Sequence, residues 1–137
     1  MTETLLHLIQ QGWGKPGSAF MKSFSTLFMP DATSDQVDSF IGMQLASAAA
    51  GHAVALRRAI GGFDVSADLG RIRAPTLVVH ARHDAVQPFE EGQRLARSIP
   101  DARFVAYDSA NHILMPQEPA WAPVMDAMDR FLAETGN

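Results

Sequence analysis

The sequence predicts an α/β fold, with a helical segment over residues 1–64 followed by a β-α-β-α unit of two parallel strands over residues 65–137. Three observations lead there. Up to Asp64 the apolar residues recur at helical spacing and no strand pattern interrupts them. Beyond it, two short runs rich in branched and aromatic residues, "PTLVVHA" and "ARFVAYD", are each followed by turn-forming residues and then by a helical pattern. Strand, loop, helix, strand, loop, helix is the order that parallel strands joined by a right-handed crossover require.

In "SAFMKSFSTLF", Phe20, Phe24, Leu27 and Phe28 fall on one face of a helix that starts near Ser18 and is stopped by Pro30. Thr33 and Gln36 have the spacing of a capping box, and Val37, Phe40, Ile41 and Leu45 supply the apolar face of the helix behind them. Gly51 is expected to break that helix, and "HAVALRRAI" resumes it until Gly61 and Gly62. "PTLVVHA" reads as a strand buried on both faces. Leu95 and Ile99 mark the helix after it. "ARFVAYD" is the second strand, and Trp121, Val124, Met128, Phe131 and Leu132 share one face of the last helix.

The composition narrows the function. Apolar residues make up 47% of the 137, enough for an ordinary globular core. The net charge of -4 is scattered and includes no basic run, so nucleic acid is not an expected partner. Without cysteine there is neither a disulfide nor thiolate chemistry. No run approaches the ~18 apolar residues of a membrane-crossing helix. The start, "MTETLLHLIQQGWG", carries Glu3 and His7 where a secretory signal would be basic and then apolar, so a cytoplasmic protein with no membrane partner is expected.

Loops leaving the carboxyl ends of parallel strands gather on one side of a sheet. The first holds His83 and Asp84; the second, "DSANHILMP", holds Asn111 and His112. An aspartate that accepts the Nδ1 proton of a histidine orients the ring and stabilises its charged form, which suits a general base for a hydroxyl nucleophile. Each residue also has a plainer reading. Asp84 can cap the helix that follows it, and His112 can pack against Trp121 or Pro116. Asn111 can hold its loop through a side-chain bond to the backbone, and His7 and His52 read as solvated helix residues. His80 and His83 have H-x-x-H spacing, but no third ligand recurs at a suitable distance, so neither a metal nor a cofactor is expected.

From "LGRIRAPTLVVHARHDAVQPF" through "ANHILMPQEPAWAPVMDAMDRFL" the chain resembles the C-terminal half of the α/β-hydrolase family, with acid loop, histidine loop and last helix in order. The preceding "WGKPGSAFMKSFSTLFMPDATSDQ" resembles the helical cap of members fused to bacterial regulators. The resemblance implies that Asp84 and His112 are the acid and base of a serine hydrolase acting on esters or related acyl compounds. It also implies that the cap selects an apolar acyl or small aromatic ligand through Phe20, Phe24 and Phe28. The family's nucleophile elbow, G-x-S-x-G, is not present in these 137 residues; Ser47 in "QLASAAAG" comes nearest and lacks the flanking glycines. This chain by itself is therefore expected to be inactive. Its open strand edge is expected to be covered by a homodimer partner or by the nucleophile-bearing half. The alternative is a non-catalytic ligand-sensing or oligomerisation domain with a hydrolase-like fold.

Overall fold

The computed structural model of the chain describes residues 3–15 and 17–136. It divides into two compact units, one of residues 1–27 and 32–64, the other of residues 28–31 and 65–137.

The first unit is helical. Helix α1 (Glu3–Gly12) packs on α4 (Ala50–Ile60), with α2 (Ala19–Phe28) and α3 (Ser34–Ser47) between them in sequence. Leu6, Ile9, Met21, Val37 and Ala53 form its apolar core. The buried residues of α2 are Met21 and Ser25, one position on from the predicted stripe, while Phe20 and Phe24 are half-buried and Leu27 is exposed. A polar pair draws the helix round: Gln44 Nε2 donates to Ser25 Oγ at 2.8 Å, and both side chains are buried. Phe20 lies against Gly12, where an added Cβ would come within 2.5 Å of the Phe20 Cβ. Phe20 and Phe24 stack at 5.5 Å, and Trp13 meets Phe24 edge-on at 6.3 Å.

The Thr33–Gln36 capping box forms, with reciprocal hydrogen bonds of 3.3 and 2.9 Å. The break in the next stretch lies elsewhere than expected. Ala48 and Ala49 are extended, α3 and α4 meet at a bend of 93°, and Gly51 sits inside α4. The cause is long-range: the Trp13 indole N–H donates to the Ala48 carbonyl at 2.7 Å, giving a partner to a group that continued helix would otherwise have used. Among the described residues no single helix is long and apolar enough to cross a membrane.

In the second unit a 3-10 turn (Ser66–Arg71) leads to β1 (Leu77–Ala81), α5 (Phe89–Ser98), β2 (Arg103–Tyr107) and α6 (Trp121–Thr135). The strands are parallel, in register from Leu77 beside Arg103 to Ala81 beside Tyr107, so their carboxyl ends are level. Both α5 and α6 pack on both strands. Met29, Leu69, Ala81, Ile99, Met115 and Val124 are the buried apolar residues of this unit. In β1 only Ala81 is fully buried, and Leu77 to His80 are half-buried, where the sequence suggested burial on both faces. The described residues form two strands only, so the far edge of β1 has no neighbouring strand to cover it. Along α6 Val124 is buried, but Met128 and Leu132 are 38% and 61% exposed. The far end of α6 stays beside β2, where Arg103 pairs with Glu134 and lies over the Phe131 ring at 5.4 Å.

Candidate active site

The level ends of β1 and β2 bring two loops together. Arg82 N–H donates to the Tyr107 carbonyl at 2.9 Å and His83 N–H to the Ser109 carbonyl at 3.1 Å, carrying the strand pairing one step into the loops. Asp84 follows directly. Its side chain is only 4% exposed and uses both oxygens. Oδ1 accepts the backbone N–H groups of Val86 at 2.7 Å and Gln87 at 3.0 Å. Oδ2 accepts the Nδ1–H of His112 at 2.7 Å. Asp84 does not cap α5 as the plainer reading expected, since Pro88 is the N-cap and no side chain bonds there; Oδ1 instead holds the turn before the helix while Oδ2 meets the histidine. Burial works against the charge of Asp84, but the bonds from His112, Gln87 and Val86 outweigh it and hold the carboxyl below its ordinary value of 3.8.

The His112 side chain is 35% exposed. With Nδ1 committed to Asp84, Nε2 is the nitrogen left for a reacting group. The Phe28 ring meets the His112 ring edge-on at 5.7 Å. The Phe28 carbonyl also accepts the Ile113 N–H at 3.0 Å, so one residue supports the loop by both backbone and side chain. Asn111 is fully buried and holds the loop as its sequence position suggests: its Oδ1 accepts the Asp31 N–H at 3.0 Å. Beside the pair lies a cleft of about 250 Å³, lined in part by His80, Asp84, Tyr107 and His112. Burial, then the carboxylates of Glu118 and Asp84, push the Tyr107 phenol above its ordinary value of 10.0.

The predicted residues are divided between the two units. Asp84, His112 and Phe28 belong to the second unit; Phe20 and Phe24 belong to the first, where they stack on each other. His80 and His83 have separate partners. His80 donates to the Ala81 carbonyl at 2.8 Å and lies over Gly92, and His83 pairs with Asp108 at 3.2 Å. Among the described residues no group of three or more His, Cys, Asp or Glu could hold a metal ion. Sequence reasoning passed over Gly92, Ser109 and Glu118. Gly92 leaves room for the His80 ring, since a Cβ there would come within 2.5 Å of it. The one sequence signal for Ser109 and Glu118 is that two polar residues flank the apolar stretch "HILMP".

Two parallel strands with helices packed on them agree with the fold of known proteins. The family model described as TAP-like protein, an α/β-hydrolase model, matches residues 63–136. The chain belongs to the α/β-hydrolase family. It is 42% identical over 59 residues to a protein of Pseudomonas savastanoi pv. phaseolicola that carries the name carbamate hydrolase RutD. It is 36% identical over 80 residues to one of the same name from Pseudomonas syringae pv. syringae. These matches take in 42% and 57% of this chain but 23% and 30% of those proteins. In fold it is similar to the esterase EaEST from Exiguobacterium antarcticum, with a TM-score of 0.69 and 16% identity, over 98% of this chain and 48% of the esterase. The α/β-hydrolase chain thus spans less than a third of the curated relatives it matches and about half of the esterase.

Proposed function

We propose that this chain supplies the acid and the general base of a serine-type α/β-hydrolase that cleaves esters or related acyl compounds, and that the nucleophile lies outside these 137 residues. The observation that carries the reading is the 2.7 Å contact of Asp84 Oδ2 with His112 Nδ1 over the strand ends. An ionised Asp84 accepts the Nδ1 proton and leaves Nε2 bare to take a proton from a serine hydroxyl as it attacks the acyl carbon. The proton then goes to the leaving group, and the same ring activates water for the second half of the cycle. The names of the relatives, carbamate hydrolase and esterase, favour acyl chemistry of this kind. Phe28 against the His112 ring favours an apolar acyl or aromatic group beside it. The partner this reading calls for is a segment that brings G-x-S-x-G and pairs with the far edge of β1.

The test has two arms. The purified 137-residue chain is expected to leave p-nitrophenyl acetate unhydrolysed above the buffer rate, because a base and its orienting acid cannot acylate alone. Turnover that disappears in His112→Ala would overturn the assignment of the nucleophile to another segment. The reading frame upstream of Met1 is expected to encode G-x-S-x-G. Expressed in one chain with these residues, it should give hydrolysis that falls about 10³-fold or more in His112→Ala. A frame without that elbow, or hydrolysis indifferent to His112→Ala, leaves a ligand-sensing or assembly domain as the better reading.

A further inference from the structure

Among the polar side chains of the histidine loop that the proposed chemistry does not use are Ser109 and Glu118. Ser109 is buried, with 8% exposure, and Glu118 is half-buried. The Ser109 hydroxyl donates to Glu118 Oε2 and accepts the Asn111 N–H at 2.9 Å. Glu118 Oε1 accepts the Met115 N–H at 2.6 Å. One carboxylate therefore ties down the loop on both sides of His112, at residue 115 directly and at residue 111 through the serine. The same serine reaches the acid loop, because its carbonyl accepts the N–H of His83, the residue before Asp84. Hydrogen bonds to an ionised carboxylate are shorter and stronger than neutral ones, which suits them to fixing a loop.

We propose that Glu118, acting through Ser109, is a positioning residue that holds His112 against Asp84. This inference rests on the reading of Asp84 and His112 as a working pair, but it can fail while that reading stands. A loop free to shift would let the His112 ring leave Asp84 and take the other tautomer. With the loop held, the proton stays on Nδ1 and Nε2 stays bare.

The tautomer is the readout, because a role confined to stability would leave it alone. In the 137-residue chain, nitrogen-15 shifts of the His112 ring, observed through its carbon-bound protons above the histidine titration, report which nitrogen carries the proton. Wild type should carry it on Nδ1, and Asp84→Asn should move it to Nε2. Glu118→Gln keeps one acceptor oxygen and loses the charge; Ser109→Ala removes the bridge. Each should shift the Nδ1-to-Nε2 proton ratio toward Nε2 by about 2- to 10-fold, the range that one net hydrogen bond spans. Ser109→Thr, which restores a hydroxyl, should return it to the wild-type value. Circular dichroism and slow amide exchange in β1 and β2 establish that each variant is folded. A wild-type ring protonated on Nε2 defeats the pair and this inference together. A wild-type ring protonated on Nδ1, with both variants unchanged, overturns this inference alone. If Glu118→Gln and Ser109→Ala both fail to fold, the carboxylate serves the fold as a whole and the inference is also overturned.

Discussion

Asp84→Ala and Asp84→Asn separate the two duties of one side chain. The alanine variant loses three hydrogen bonds. The Val86 N–H, at 2.7 Å and partly buried, is left without its acceptor, which costs about 1–3 kcal/mol. The Gln87 N–H is exposed, so water replaces its bond at little cost. The bond to His112 joins a 4% exposed carboxylate to a ring that is 35% exposed, and solvent screening leaves it worth about 1 kcal/mol. Together these come to about 3 kcal/mol, a large share of the stability of a small unit. The asparagine variant keeps an oxygen for the two backbone donors. Its NH₂ donates to a His112 Nδ1 left bare by the shift of the ring proton to Nε2, so the charge-assisted bond to His112 is exchanged for a weaker neutral one, at a cost of about 1 kcal/mol. The assay is urea unfolding at pH 7, followed on the amide resonances of β1 and β2, which report the unit that holds Asp84. The expected gap between the variants is about 2 kcal/mol, more than a factor of ten in the unfolding equilibrium. Equal losses in the two variants, or a loss below about 0.5 kcal/mol for alanine, would refute the assignment of Oδ1 to the turn and Oδ2 to the histidine.

The lowered value of Asp84 has a signature in pH. Because the folded carboxyl titrates below the unfolded one, its stabilisation is complete above the ordinary value of 3.8 and disappears as pH falls through the lower folded value. Wild type should therefore lose its advantage over Asp84→Asn on acidification below that value, and a constant difference through that range would contradict the charge assignment. Gly92→Ala should destabilise the second unit despite the better helix propensity of alanine. The new Cβ would sit 2.5 Å from His80 Cδ2 and 3.0 Å from His80 Cβ, and the ring is held by its bond to the Ala81 carbonyl. Overpacking of about 1–3 kcal/mol set against a propensity gain of about 1 leaves a net loss of up to about 2 kcal/mol. A stabilised variant in the same urea assay would show that the His80 ring is free to move.

The sequence by itself determined the elements that local chemistry specifies. The Thr33–Gln36 box needs only its own four residues, and it forms. β1 and β2 follow from runs of branched residues, and their parallel pairing from the helix between them. Given that pairing, Asp84 and His112 had to leave the sheet at one edge, which is why two residues 28 apart could be named as neighbours without coordinates. What only the tertiary structure decided are the contacts that local periodicity does not encode. The helix break moved from Gly51 to Ala48 because an indole 35 residues away takes a carbonyl there. The buried stripe of α2 turned toward Ser25 because Gln44 supplies it with a buried donor. β1 is half-buried because burial depends on what lies beside a strand, and its own residues specify only that they suit an interior. The brace of Ser109 and Glu118 around His112 was hidden for the same reason. A hydroxyl and a carboxylate in a loop usually face water, and it takes the fold to turn them onto each other and onto the backbone on either side of the histidine.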